Sequence, residues 1–135
     1  MRHGRLCVRV LTAIVIVHCI SVGNAQTQME MNEEAGARLR AADAEMKKVI
    51  GELESKANGR PKALEVLRNA QAGWEKYRDA QLRAMWPFPE TTWYGSVNPM
   101  CFADVKAEMT RVRTRELRAM LNPTETDACV SRWPE

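Results

Sequence analysis

Three long runs of this chain set their apolar residues three and four positions apart, the spacing that lines up one face of an α-helix. From about Glu33 to Ala57 these residues are Ala35, Leu39, Ala42, Met46, Val49, Ile50 and Leu53. Asn58 and Gly59 are residues that end helices, and Pro61 suits the first turn of the next one. The second run extends from about Pro61 to Met85, with Leu64, Leu67, Trp74, Leu82 and Met85 on its stripe. The third runs from about Pro99 to Leu121, with Phe102, Val105, Met109, Val112 and Met120, and Asn122–Pro123 stops it. No alternating run of β-branched residues is long enough for a strand. The expected fold is all-α: a small three-helix bundle, antiparallel where connections are short, with an aromatic, proline-rich loop between helices two and three. A length of 135 residues fits one such domain.

The segment before these helices reads as an address. Arg2, Arg5 and Arg9 precede an apolar stretch from Val10 to Val17, and Gly23 and Ala25 form a small-x-small end. That is the pattern of a secretory signal peptide, with cleavage expected near Ala25 and a mature domain spanning 26–135. Eleven residues between Arg9 and Ser21, His18 among them, are too few to span a bilayer. Lipid attachment at Cys19 is the rival fate. Val17 and His18 before it are not the small residues a lipoprotein signal uses.

Removing the leader rewrites the chemistry. The formal charge of +3 comes from its three arginines, so 17 basic residues then face 17 acidic ones. A neutral chain lacks the uncompensated cationic surface that nucleic-acid binding needs. Both histidines, His3 and His18, leave as well. The mature chain therefore holds no Ser-His or Cys-His dyad and no histidine-ligated zinc, and neither a cofactor nor a metal is expected. Cys101 and Cys129 remain, and in an oxidising compartment they are expected to form a disulfide. A monomer without a membrane span is expected.

Two features remain that could carry function. The first is the loop Trp86–Pro99, which holds four of the eight aromatics and three of the six prolines. Either Trp86, Phe88, Trp93 and Tyr94 fold back to plug the bundle, or they form a rigid contact patch of the composition interfaces favour. Plugging is the commoner role of an apolar loop. The second feature is a set of polar residues on apolar stripes: Gln71 and Arg78 on helix two, Glu116 on helix three, with Arg113 close by. A charge facing a core needs a partner. Arg78 is therefore expected to meet Glu116, Gln71 to bond to backbone or loop, and Asp79 to answer Arg113 or the loop. The pairs Glu75/Asp79 and Asp104/Glu108 and the ridge Arg111, Arg115 and Arg118 read as solvated charged faces.

Ala42-Asp43 with Met46-Lys47, then Leu67, Gln71, Trp74 and Tyr77-Arg78-Asp79, then Gly95-Ser96, then Thr110, Arg113 and Leu117, together resemble the lysozyme inhibitor LprI-like family. The resemblance covers about residues 35–121 and is sharpest from Gln71 to Asp79. It implies a helical bacterial envelope protein that is not an enzyme and that binds a protein partner, in the namesake branch a lysozyme. The residues expected to bind are Gln71, Trp74, Arg78, Asp79, Trp86, Phe88, Trp93, Tyr94, Gly95, Ser96 and Arg113. The alternative is a module for a small envelope ligand held by Gln71, Arg78, Asp79 and Arg113. Family members often carry cysteines where this chain has Leu82 and Val105, so an apolar contact between helices two and three is expected in place of a crosslink. Lysozymes of the C type are strongly basic, and an inhibitor of one is expected to offer an acidic surface or a polar loop for the cleft.

Overall fold

The computed structural model describes residues 27–88, 90–122 and 133–134, so the expected leader, its cleavage site and Cys129 lie outside the described residues. Three helices follow one another: α1 Gln28–Lys56, α2 Pro61–Met85 and α3 Asn98–Leu121, with a single 3-10 turn at Thr91–Tyr94 in the last connection. Among the described residues there is no strand, and the all-α three-helix bundle stands. The bounds of α2 are those expected from sequence. Helix α1 starts five residues before Glu33, and the cause is local. Thr27 accepts from the Glu30 backbone N–H at 3.2 Å, and the Glu30 carboxylate accepts from the Thr27 N–H at 2.7 Å. This reciprocal capping box satisfies two end groups and fixes the first turn well ahead of the apolar stripe.

The first connection is tight. Ala57 is fully buried beneath it, and Gly59 turns the chain at φ 79, a left-handed conformation that costs glycine nothing. Helix α2 therefore runs back against α1, as the 2.9 Å Arg68–Glu54 bond across them shows. The second connection is long enough to cross the end of the bundle, so α3 runs parallel to α1. Arg38 donates to Asp104 at 2.8 and 3.0 Å, Thr110 to Asp43 at 3.4 Å, and Arg118 to Glu45. Residue numbers climb together along both helices.

Helices α1 and α3 make the most extensive contact in the bundle. The buried positions of α3 are Ala103, Ala107, Thr110, Thr114, Leu117 and Leu121. Those of α1 are Ala35, Ala42, Met46, Val49 and Leu53, with Leu39 half-buried between the first two. Both sets step by four and three alternately, which is the spacing of a coiled-coil seam. Here the expected stripe of α3 is corrected. Phe102 and Val112 are exposed by 36% and 40%, and Val105, Met109 and Met120 are half-buried. Small side chains win the seam because they let two backbones approach, whereas the larger apolar residues are left on its flanks. Met85, expected on the stripe of α2, is also exposed, and its neighbour Trp86 packs on α3 instead.

The main apolar cluster sits toward the turn between α1 and α2. Met46, Val49, Leu53, Leu67, Leu117 and Leu121 fill it, and Ile50, Trp74, Met120 and Trp133 pack against it. Trp133, which the sequence reading left unassigned, donates its indole N–H to the Leu53 carbonyl at 3.0 Å, engaging a backbone acceptor in the last turn of α1. The opposite half of the bundle has alanines in the seam and, among the described residues, no comparable cluster. Replacing Ala107 by Leu should force the seam apart and cost about 1–3 kcal/mol, whereas Val112→Leu on the exposed flank should stay within about 0.5 kcal/mol. Urea unfolding followed by circular dichroism measures both.

Candidate functional site

Midway along the bundle, five of the residues expected to bind lie in one polar belt. Gln71 is buried on α2. Its Oε1 accepts from the Arg113 guanidinium at 3.3 Å, and its Nε2 donates to Glu75 at 3.3 Å and to the Met46 sulfur at 3.6 Å. Arg113 also donates to Glu116 at 3.0 Å. Two turns further along α2, Arg78 donates to Asp79 at 2.9 Å and lies 5.1 Å from the Trp74 ring centroid, a cation–π distance. These five residues thus fall into two groups, Gln71 with Arg113 and Arg78 with Asp79 and Trp74.

Three expected partnerships are corrected. Arg78 does not meet Glu116, because the antiparallel register sets Gln71 level with Arg113 and therefore places Arg78 about two turns of α3 away from it. Glu116 lies about ten residues, or ~15 Å, from the level of Arg78, and Arg113 reaches it first along the same helix. Gln71 bonds to side chains of α1, α2 and α3, not to backbone or loop. Asp79 answers its own neighbour, Arg78. That hydrogen bond holds the Asp79 carboxyl below the ordinary carboxylate range, with Lys106 and Arg83 adding to the effect and burial opposing it. The ridge Arg111, Arg115 and Arg118 behaves as expected, paired with Glu108 and Glu45.

The aromatic loop divides into two roles. Trp86 is half-buried and meets the Phe102 ring edge to face at 5.4 Å. Tyr94 is half-buried too, and its hydroxyl accepts from the Phe88 backbone N–H at 3.0 Å. Phe88 and Trp93 stack at 5.4 Å and stay outside, exposed by 53% and 71%. Gly95 turns the loop at φ 71, and the Ser96 carbonyl accepts from Asn32 of α1 at 3.3 Å. The loop is therefore tied to itself and to α1 while presenting two rings to solvent. Two cavities open beside it. One, of about 270 Å3, is lined by Asp79, Leu82, Arg83, Trp86, Phe102 and Lys106. The other, of about 430 Å3, is lined by Trp86, Phe88, Tyr94, Asn98, Pro99 and Phe102.

Sequence reasoning missed Arg83, Asn98, Phe102 and Lys106 as parts of this end. Periodicity places Phe102 on the core stripe, and the signal that marks it as a wall is its place one residue before the Ala103 seam position. Leu82 is buried and lines the first cavity together with Phe102 and Lys106 of α3. Cys101 is a half-buried free thiol among the described residues. Among those residues, no group of three or more His, Cys, Asp or Glu could hold a metal ion.

These features define a helical bundle with an aromatic, partly cationic end. The chain belongs to the family described as Lysozyme inhibitor LprI, which matches residues 19–117. It is also similar to an uncharacterized protein of Rhizobium meliloti (strain 1021), at 31% identity over 82% of this chain and 93% of that protein. No solved structure matches the chain.

Three carboxyls contribute stability that depends on their ionisation. Asp79 beside Arg78, Asp104 beside Arg38 and Glu108 beside Arg111 all lie below their ordinary range. A group lowered by folding stabilises the native state above its unfolded value, and that contribution is lost as pH falls through the folded one. Stability should therefore be flat near neutrality and fall below about pH 4. In a carboxyl NMR titration, Arg78→Met should return Asp79 upward toward its ordinary value and leave Asp104 where it is.

Proposed function

We propose that the protein is an exported, non-enzymatic inhibitor of a lysozyme, which it engages through the Trp86–Pro99 loop. Membership of the Lysozyme inhibitor LprI family over residues 19–117 carries this reading. The exposed Phe88–Trp93 stack supports the choice of surface. Aromatic side chains held rigidly before binding lose little freedom on association, and such residues dominate protein interfaces. The internal Phe88–Tyr94 bond and the Asn32–Ser96 tie supply that rigidity. Gly95 and Ser96 shape and anchor the loop.

Export rests on the leader pattern of residues 1–25, with the mature chain in the periplasm or outside the cell. Among the described residues no helix is long and apolar enough to cross a membrane. Export also places Cys101 where a disulfide with Cys129 can form. The alternative reading, a small ligand held by Gln71, Arg78, Asp79 and Arg113, has less support because those side chains already satisfy one another.

Titrating the exported protein against lysozymes of the C, G and I types should inhibit at least one of them. Trp93→Ala should weaken that inhibition by about tenfold or more with no change in helical circular dichroism. Absence of inhibition at large molar excess against all three types would overturn the reading. Unreduced mass spectrometry of the same preparation should show Cys101 joined to Cys129, and two alkylatable thiols would refute the crosslink.

A further inference from the structure

We propose that the Trp86–Phe102 end of the bundle docks a protein segment in which a carboxylate stands next to an apolar side chain. The two cavities beside the loop share one wall, the edge-to-face pair Trp86 and Phe102, and their linings differ in kind. The larger is walled by Trp86, Phe88, Tyr94, Pro99 and Phe102, which suits an apolar side chain. The smaller carries Arg83, Lys106 and Asp79 on its rim.

The charge of that rim follows from the pairing already described. Asp79 is bonded to Arg78 at 2.9 Å, and among the described residues neither Arg83 nor Lys106 makes an ion pair. Counting Arg78, Arg83 and Lys106 against Asp79 leaves the rim cationic. An incoming carboxylate meets two free cations, whereas a basic segment is repelled, and like charges brought together at an interface are strongly disfavoured. Because the cavities adjoin, the acidic and apolar groups must be neighbours on the segment. Two cations beside one aromatic wall are too few for a nucleic acid, whose binding needs several phosphate contacts.

The occupant inferred is a segment of a partner protein, selected by an apolar wall that adjoins a cationic rim. The inference stands apart from lysozyme inhibition, but it constrains it: a strongly basic enzyme would meet this end through carboxylates, such as those of a glycosidase cleft.

The test uses the exported protein and three capped pentapeptides, Gly-Asp-Phe-Glu-Gly, Gly-Asn-Phe-Gln-Gly and Gly-Lys-Phe-Lys-Gly. Binding is followed at low salt through the indole N–H resonances of Trp86, Trp93 and Trp133. The acidic peptide should move Trp86 and Trp93 and leave Trp133 in place. It should bind about tenfold more tightly than the neutral peptide, with the basic one weakest, and the gap should narrow as salt is raised. Arg83→Glu combined with Lys106→Glu should reverse the order while circular dichroism stays helical. Equal binding of the three peptides, no shift at millimolar peptide, shifts at Trp133 instead, or an unchanged order in the double variant would each overturn the proposal. None of these results depends on a lysozyme, so the two readings fail separately.

Discussion

The close approach of α1 and α3 is the constraint from which the rest of the bundle follows. Ala35 and Ala42 on one helix and Ala103 and Ala107 on the other let two backbones run side by side with little between them. Thr110 and Thr114 continue the seam and bring hydroxyls into it, which must be satisfied there. Thr114 donates to the Thr110 carbonyl at 2.8 Å, and Thr110 reaches Asp43 at 3.4 Å. Once α1 and α3 are locked in this way, α2 is left to cover their shared groove from outside. It does so with long side chains: Leu67, Gln71, Trp74, Arg78 and Leu82. Where the seam is alanine and α2 ends, those side chains no longer fill the space, and the cavities beside Trp86 and Phe102 are the result.

The same geometry explains what was legible in the sequence and what was not. Helix existence and the limits of α2 could be read because Pro61 and the Trp86–Pro99 loop punctuate the chain strongly. The start of α1 was equally written, in Thr27 and Glu30, but an apolar stripe is a later signal than a cap. The seam of α3 was obscured because hydrophobic size draws attention to Phe102 and Val112, whereas close packing selects for smallness. A stripe of Ala, Thr and Leu at alternating four and three spacing is the pattern to weigh beside it. The Arg78–Glu116 pairing failed for a different reason. Periodicity says which face a residue occupies, but interhelical register is set by the turn and the seam, and those levels are not readable from one helix alone. The aromatic composition of the loop was plain from sequence, yet the division between packed Trp86 and Tyr94 and exposed Phe88 and Trp93 depends on where the chain turns.

The proposed contact surface lies at one end of the bundle, away from the polar belt that the family resemblance emphasised. Gln71 and Arg113 tie the three helices together while Arg78 pairs within α2, and their hydrogen bonds leave them little to offer a ligand. They matter to the loop indirectly. By fixing α2 against α3, they set the distance between Trp86 and Phe102 and thus the shape of both cavities. A cavity wall made of one ring from each of two helices reports any change in helix spacing.

The parallel course of α1 and α3 has an electrical consequence. Each helix carries a partial positive charge at its amino end and a negative one at its carboxyl end. Two amino ends therefore point to the side of the molecule that holds the aromatic loop, and a single carboxyl end, that of α2, lies with them. At α1 the capping carboxylate of Glu30 already answers the field, whereas α3 begins at Asn98 without any side-chain cap. The macrodipoles of α1 and α3 thus do not cancel as they would in an antiparallel pair, and the surplus positive pole faces outward beside Trp86, Phe102 and Lys106.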